Sequence, residues 1–192
     1  MANLKDSGAR TTFESGAQRE VEKSKGRHDL LPLDVLAVLY ASSTYDEDVR
    51  QVADGIFSSL HHFVYTGDMA CITDAIWTFI EYAYHNDTEH ALLCLAIHYG
   101  DGAEKYAERN WEQGLPLSSF LQSAVRHFIK WIEKWEDEPH DRAFLWNLFG
   151  IIRTLNDHNT VLYDLPFYTK ILREEKSNES ECAHSEATRV SN

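Results

Sequence analysis

The stretch Asp46-Glu47-Asp48-Val49-Arg50-Gln51-Val52-Ala53-Asp54-Gly55-Ile56-Phe57-Ser58-Ser59-Leu60-His61-His62-Phe63-Val64 sets the fold class. Val49, Val52, Ala53, Ile56, Phe57, Leu60, Phe63 and Val64 recur at i, i+3, i+4 and i+7, one face of an α-helix. On its C-terminal side, Thr66-Gly67-Asp68 is a helix stop followed by an N-cap. A second helix is marked by Ile72, Ala75, Ile76, Phe79, Ile80 and Ala83. Asp87 or Thr88 caps a third, with Leu92, Leu95, Ala96, Tyr99 and Ala103 as its expected buried stripe. After a loop at 109–114, Ser118 or Ser119 starts another helix, with Phe120, Leu121, Ala124, Val125, Phe128, Ile129, Ile132 and Trp135 on its apolar face. Asp137-Glu138-Pro139 reads as the capped start of a last long helix that buries Phe144, Leu145, Leu148, Ile151, Ile152 and Leu155. On the N-terminal side, residues 30–40 predict a short helix with Pro32 in its first turn. Val161-Leu162-Tyr163 and Phe167-Tyr168 are the only strand candidates, and both are short. The expected fold is all-α, a helical bundle.

Residues 1–29 are polar, basic and without period, and predict an irregular N-terminal arm. Residues 30–173 form the single helical domain, with 41–97 read as inserted helices. Residues 174–192 lack apolar partners and predict a disordered acidic tail. The chain has 192 residues, 43% of them hydrophobic, which suits one packed core. With 31 acidic against 18 basic residues the net charge is −13, which argues against non-specific nucleic-acid binding and against an anionic membrane surface. No apolar run is long enough to span a bilayer, and the first residues lack a signal peptide's apolar core. Cys71, Cys94 and Cys182 are odd in number and widely spaced, which fits a reducing, cytoplasmic setting.

Candidate chemistry concentrates in the second half. Asp101-x-x-Glu104 and Glu138-x-x-Asp141 are carboxylate pairs one helical turn apart, a spacing suited to hard ions such as Mg²⁺ or Mn²⁺. Lys105, His127 and His140 are candidates for proton transfer or for neutralising phosphate charge. Structural explanations stand beside these. Acidic residues favour any helix N-terminus, Asp101 and Glu104 fit a solvated face, and His127 beside Trp131 fits a packing role. A second metal reading takes His98, His127 and the His140-Asp141 dipeptide with Asp157 or Asp164, the ligand order of HD-type phosphohydrolases, which are also all-α.

Several strings together resemble a known family. They are Ser7-Gly8-Ala9-Arg10-Thr11, Lys25-Gly26-Arg27 and Asp29-Leu30-Leu31-Pro32, then Gly102-Ala103-Glu104-Lys105-Tyr106, Arg109-Asn110-Trp111-Glu112-Gln113-Gly114, Arg126-His127, Asp137-Glu138-Pro139-His140-Asp141-Arg142-Ala143 and Trp146-Asn147. They are similar to the dATP/dGTP diphosphohydrolase N-terminal domain family of bacteriophages, over residues 7–36 and 98–152. The resemblance implies metal-dependent cleavage of purine deoxynucleoside triphosphates to monophosphate and pyrophosphate, and kinship to the MazG-like all-α pyrophosphohydrolases. Those enzymes pair E-x-x-E with E-x-x-D. Glu138-x-x-Asp141 matches the second pair, and Asp101-x-x-Glu104 stands where the first would be.

The resulting expectation is an Mg²⁺- or Mn²⁺-dependent hydrolase. Asp101, Glu104, Glu138 and Asp141 hold the metal. Lys105 and Arg126 meet phosphate charge, and Arg109, Asn110, Trp111 and Asn147 contact the nucleotide. The arm closes over the triphosphate through Arg10 and Lys25. The alternative is a non-catalytic phage-type protein that sequesters a nucleotide or inhibits a host protein. A homo-oligomer in the host cytoplasm is expected in either case.

Overall fold

The computed structural model describes residues 9–20, 25–157 and 160–174. A small antiparallel hairpin, β1 (Arg10–Thr12) and β2 (Gln18–Glu20), precedes six α-helices: α1 (Leu33–Ala41), α2 (Glu47–Thr66), α3 (Met69–Ala83), α4 (Thr88–Tyr106), α5 (Leu117–Ile132) and α6 (His140–Asn156). Residues 166–174 form a further helix, α7. The all-α expectation holds.

Local chemistry explains most helix boundaries. Asp46 accepts from the Val49 amide (2.9 Å) at the start of α2, Asp68 from Ala70 (2.9 Å) at α3 and Asp87 from His90 (2.9 Å) at α4. Gly67 ends α2 at φ +67°, a left-handed conformation that a side chain would strain. Two boundaries, the starts of α5 and α6, lack a side-chain cap. Pro116 begins α5 without a side-chain cap, and the Asp164 carboxylate takes the Ser118 amide at 2.8 Å. Pro139 precedes α6, also without a side-chain cap, so Asp137 is not the expected cap there.

The core centres on α5. Phe128 meets Phe57 of α2 (5.2 Å between ring centroids), Phe79 of α3 (6.2 Å) and Phe144 of α6 (5.2 Å). Phe57 and Phe79, from the segment 41–97 read as inserted, thus belong to the same core. Helix α6 approaches α5 so closely that a Cβ on Gly150 would lie 2.2 Å from the Phe120 ring.

Three expectations are corrected. Helix α4 buries Ala91 and Leu95, whereas Leu92 is 46% exposed and Ala96 is also exposed, because α4 sits at the edge of the bundle. Trp135 lies past the end of α5 and is exposed. The strand candidates at 161–163 and 167–168 are a 3-10 turn and helix α7, while strands form at 10–12 and 18–20 in the arm read as irregular. That hairpin has no alternating pattern. Tertiary bonds hold it, since Asn110 pairs with both backbone groups of Gln18 and Ser15 donates to the Gly114 carbonyl (2.6 Å). Ala17 is fully buried at its turn. The expected disorder of 175–192, and the arm's residues 1–8 and 21–24, lie outside the described residues.

Candidate functional site

Helix α5 is buried on nearly every side, polar side chains included: Gln122, Ser123, Arg126 and His127 join its apolar residues inside. Buried polar groups are costly unless they are bonded or serve a ligand. Arg126 and His127 open on a cleft of about 100 Å³ walled by the hairpin, α4 and the start of α6. Arg19, Lys25, Lys105 and Arg126 line it with Glu20 and Glu138, an excess of two positive charges in a strongly acidic chain.

The hairpin brings its share by geometry that local sequence does not show. Arg19 donates to the Ser119 carbonyl (2.9 Å) and to Asn147 Oδ1 (2.8 Å). Glu20 bridges Lys25 (2.7 Å) and Lys105 (3.4 Å). Arg126 is 9% exposed, donates through Nη2 to His127 Nε2 (3.0 Å), and has no partner at Nε or Nη1. A guanidinium held in this way is prepared for an anion.

Beneath it runs a hydrogen-bond chain of fixed direction. Arginine only donates, so His127 Nε2 accepts. In the neutral ring the proton then sits on His127 Nδ1, which lies 2.9 Å from His140 Nδ1. His140 turns its Nε2 to Asp137 Oδ1 at 2.8 Å, and a carboxylate only accepts. Burial, then Arg126 and His140, push the His127 pKa well below the ordinary value. Burial pushes the Asp137 carboxyl up, but hydrogen bonds from Lys130 and His140 outweigh it and hold its pKa at about 2. Glu138 Oε1 stands 3.8 Å from His127 Nδ1. His127, Glu138 and His140 form the one metal-sized cluster of His, Cys, Asp and Glu among the described residues.

Three of the four carboxylates expected to hold a metal lie outside that cluster. Asp101 pairs with Arg142 (3.3 Å), Asp141 accepts from the Tyr84 hydroxyl (2.7 Å), and Glu104 is exposed. Only Glu138 belongs to the cluster. Burial and the bond to Asp141 raise the Tyr84 pKa. Lys105, His127, Arg126 and Lys25 do meet at the cleft, with His140 directly behind His127. Asn110 and Asn147 also line it, but both are occupied. Asn110 holds β2, and Asn147 receives Arg19 while donating to the Ala143 carbonyl (2.7 Å). Arg10 stacks over Tyr106 (4.9 Å) at the rim. Trp111 and Arg109 line a neighbouring cleft of about 390 Å³ with Tyr99, Tyr106 and Trp146. Sequence reasoning missed Glu20, Asp137 as the partner of His140, and Arg19 in the cleft. The sole signal for Arg19 was its place in a basic arm.

The constellation of Arg126, His127, Glu138 and His140 falls within one recognised segment. Residues 80–161 match the family model dATP/dGTP diphosphohydrolase, N-terminal. The match covers less than half of the chain. It is continuous across α4, α5 and α6, begins inside the segment read as inserted, and leaves out the hairpin. No curated protein and no solved structure matches the chain. No helix among the described residues is long and apolar enough to cross a membrane.

Proposed function

We propose that the cleft binds the phosphates of a purine deoxynucleoside triphosphate and that the protein hydrolyses it to monophosphate and pyrophosphate. The observation that carries this reading is Arg126, a buried guanidinium with two unpartnered nitrogens among three further cations. The family's name supplies the substrate class. At about 100 Å³ the cleft suits phosphoryl groups better than a base. The base then rests outside, in the neighbouring cleft, which shares Gly102, Tyr106, Asn110 and Trp146 with the first and offers Trp111 for stacking.

An Mg²⁺ ion prefers an all-oxygen shell, and Glu138 alone does not provide one. The residues fit Mg²⁺ or Mn²⁺ carried in on the triphosphate, with Glu138 as the carboxylate facing it. The ion's contribution there is to neutralise phosphate charge. Lys105 and Arg126 stabilise the charge that builds on the phosphoryl oxygens. Glu138 is the acceptor against which the attacking water is placed, and His127, whose two ring nitrogens are engaged by Arg126 and His140, positions Arg126.

Pyrophosphate release from a panel of deoxynucleoside triphosphates with Mg²⁺ or Mn²⁺ tests the reading. The expected result is turnover of dATP and dGTP that falls at least tenfold in Lys105→Met and Arg126→Gln, with both variants folded by circular dichroism. Absence of turnover, or full turnover in folded Arg126→Gln, refutes it. A second reading, a binding protein that sequesters a nucleotide or contacts a protein partner, draws on the exposed apolar side chains Val35, Val38 and Leu39 of α1. The same face would serve a homo-oligomer. Nucleotide binding by calorimetry without pyrophosphate release would favour that reading.

A further inference from the structure

We propose that His127, Glu138 and His140 form a binding site for a borderline divalent transition metal of the Zn²⁺ and Co²⁺ class, distinct from an Mg²⁺ cage. Each residue offers one ligand atom, and the three atoms lie within 4.8 Å of one another. The two imidazole nitrogens stand 2.9 Å apart. A tetrahedral ion with metal–nitrogen bonds of about 2.0–2.1 Å sets its two nitrogens about 3.3–3.4 Å apart, so the rings part by about half an ångström and turn their lone pairs from each other onto the ion. Two nitrogens and one oxygen are a donor set that imidazole-preferring ions favour over Mg²⁺. Asp137 accepts from the far nitrogen of His140, the arrangement that fixes a ligating imidazole and raises its basicity. Glu138 supplies one negative charge to the ion, while Asp137 is shared between His140 and Lys130 (2.6 Å). Glu138 borders the cleft and leaves one side of the ion toward it.

Metal-free, the two nitrogens share the His127 proton. Ligation needs both lone pairs, so that proton moves through solvent to His127 Nε2, and no net proton is released. His127 Nε2–H then faces Arg126 Nη2, donor against donor. Arg126 turns toward the cleft, where its Nε and Nη1 already lack partners. Ion binding and anion binding therefore favour each other.

The test uses the full chain without an affinity tag, stripped with chelator and titrated with Co²⁺ and Zn²⁺. The expected result is one tightly held equivalent by elemental analysis after dialysis, with the visible absorption of low-symmetry Co²⁺. It is lost in His140→Gln and Glu138→Gln, weakened about 10–100-fold in Asp137→Asn, and kept in His61→Gln on the surface of α2. Glu138 is only half-buried, so its variant remains informative if His140→Gln fails to fold. Dialysed wild-type protein without bound ion, or Co²⁺ binding unchanged in folded Glu138→Gln, overturns the proposal. The site shares Glu138 with the nucleotide reading, but the two are tested by different readouts. Bound Co²⁺ without pyrophosphate release refutes only that reading, and turnover without bound Co²⁺ refutes only this one.

Discussion

His98 gives a sharp test of how the site's imidazoles are held. It sits on α4 beside Trp146 (ring centroids 6.2 Å) and borders the cleft at Arg126, with Nδ1 unpartnered. Burial first, and the Arg142 guanidinium second, lower its pKa from 6.5 to about 4. In the unfolded chain the ring titrates near its ordinary value. As pH falls, the unfolded state takes up the proton first, so stability is full above about pH 6.5 and is lost progressively down to about pH 4. Between pH 7 and pH 5 this one group should remove about 2 kcal/mol of folding stability. His127, lowered in the same direction, adds to the loss. Urea unfolding of the wild type and of His98→Gln at both pH values isolates the term. The variant should lose about 2 kcal/mol less on going from pH 7 to pH 5. An equal loss in both proteins would show that His98 is not held neutral by burial, and the reasoning would fail.

Three further predictions concern packing and the sorting of carboxylates. Gly150→Ala pushes a methyl into the Phe120 ring and should cost about 1–3 kcal/mol by urea unfolding, with α-helical content unchanged. Asn110→Ala removes both bonds to Gln18. It should expose residues 9–20 to limited proteolysis and cost about 1–3 kcal/mol. Asp141→Asn weakens the bond to Tyr84 and should lower stability by about 1 kcal/mol while pyrophosphate release persists. Loss of turnover in a folded Asp141→Asn would return Asp141 to the metal set.

The sequence by itself determined the helices and most of their ends. The i, i+3, i+4 stripe of α2 and the Asp46, Asp68 and Asp87 caps are local, because a helix repeats within a few residues and its orphan amides are satisfied by near neighbours. It also singled out Lys105, Arg126, His127, Glu138 and His140 as chemically interesting. Which of these would meet was not local. Asp101 and Asp141 have the spacing of metal ligands, yet each is paired, with Arg142 or Tyr84, and neither lines the cleft. Glu20 and Arg19 reach the site through tertiary bonds, among them the pairing of Asn110, on a loop far along the chain, with the backbone of β2. The His127–His140 contact likewise depends on how α5 and α6 pack at Gly150. Helical periodicity is encoded residue by residue, whereas the convergence of side chains on a buried cleft is decided by packing between elements distant in sequence.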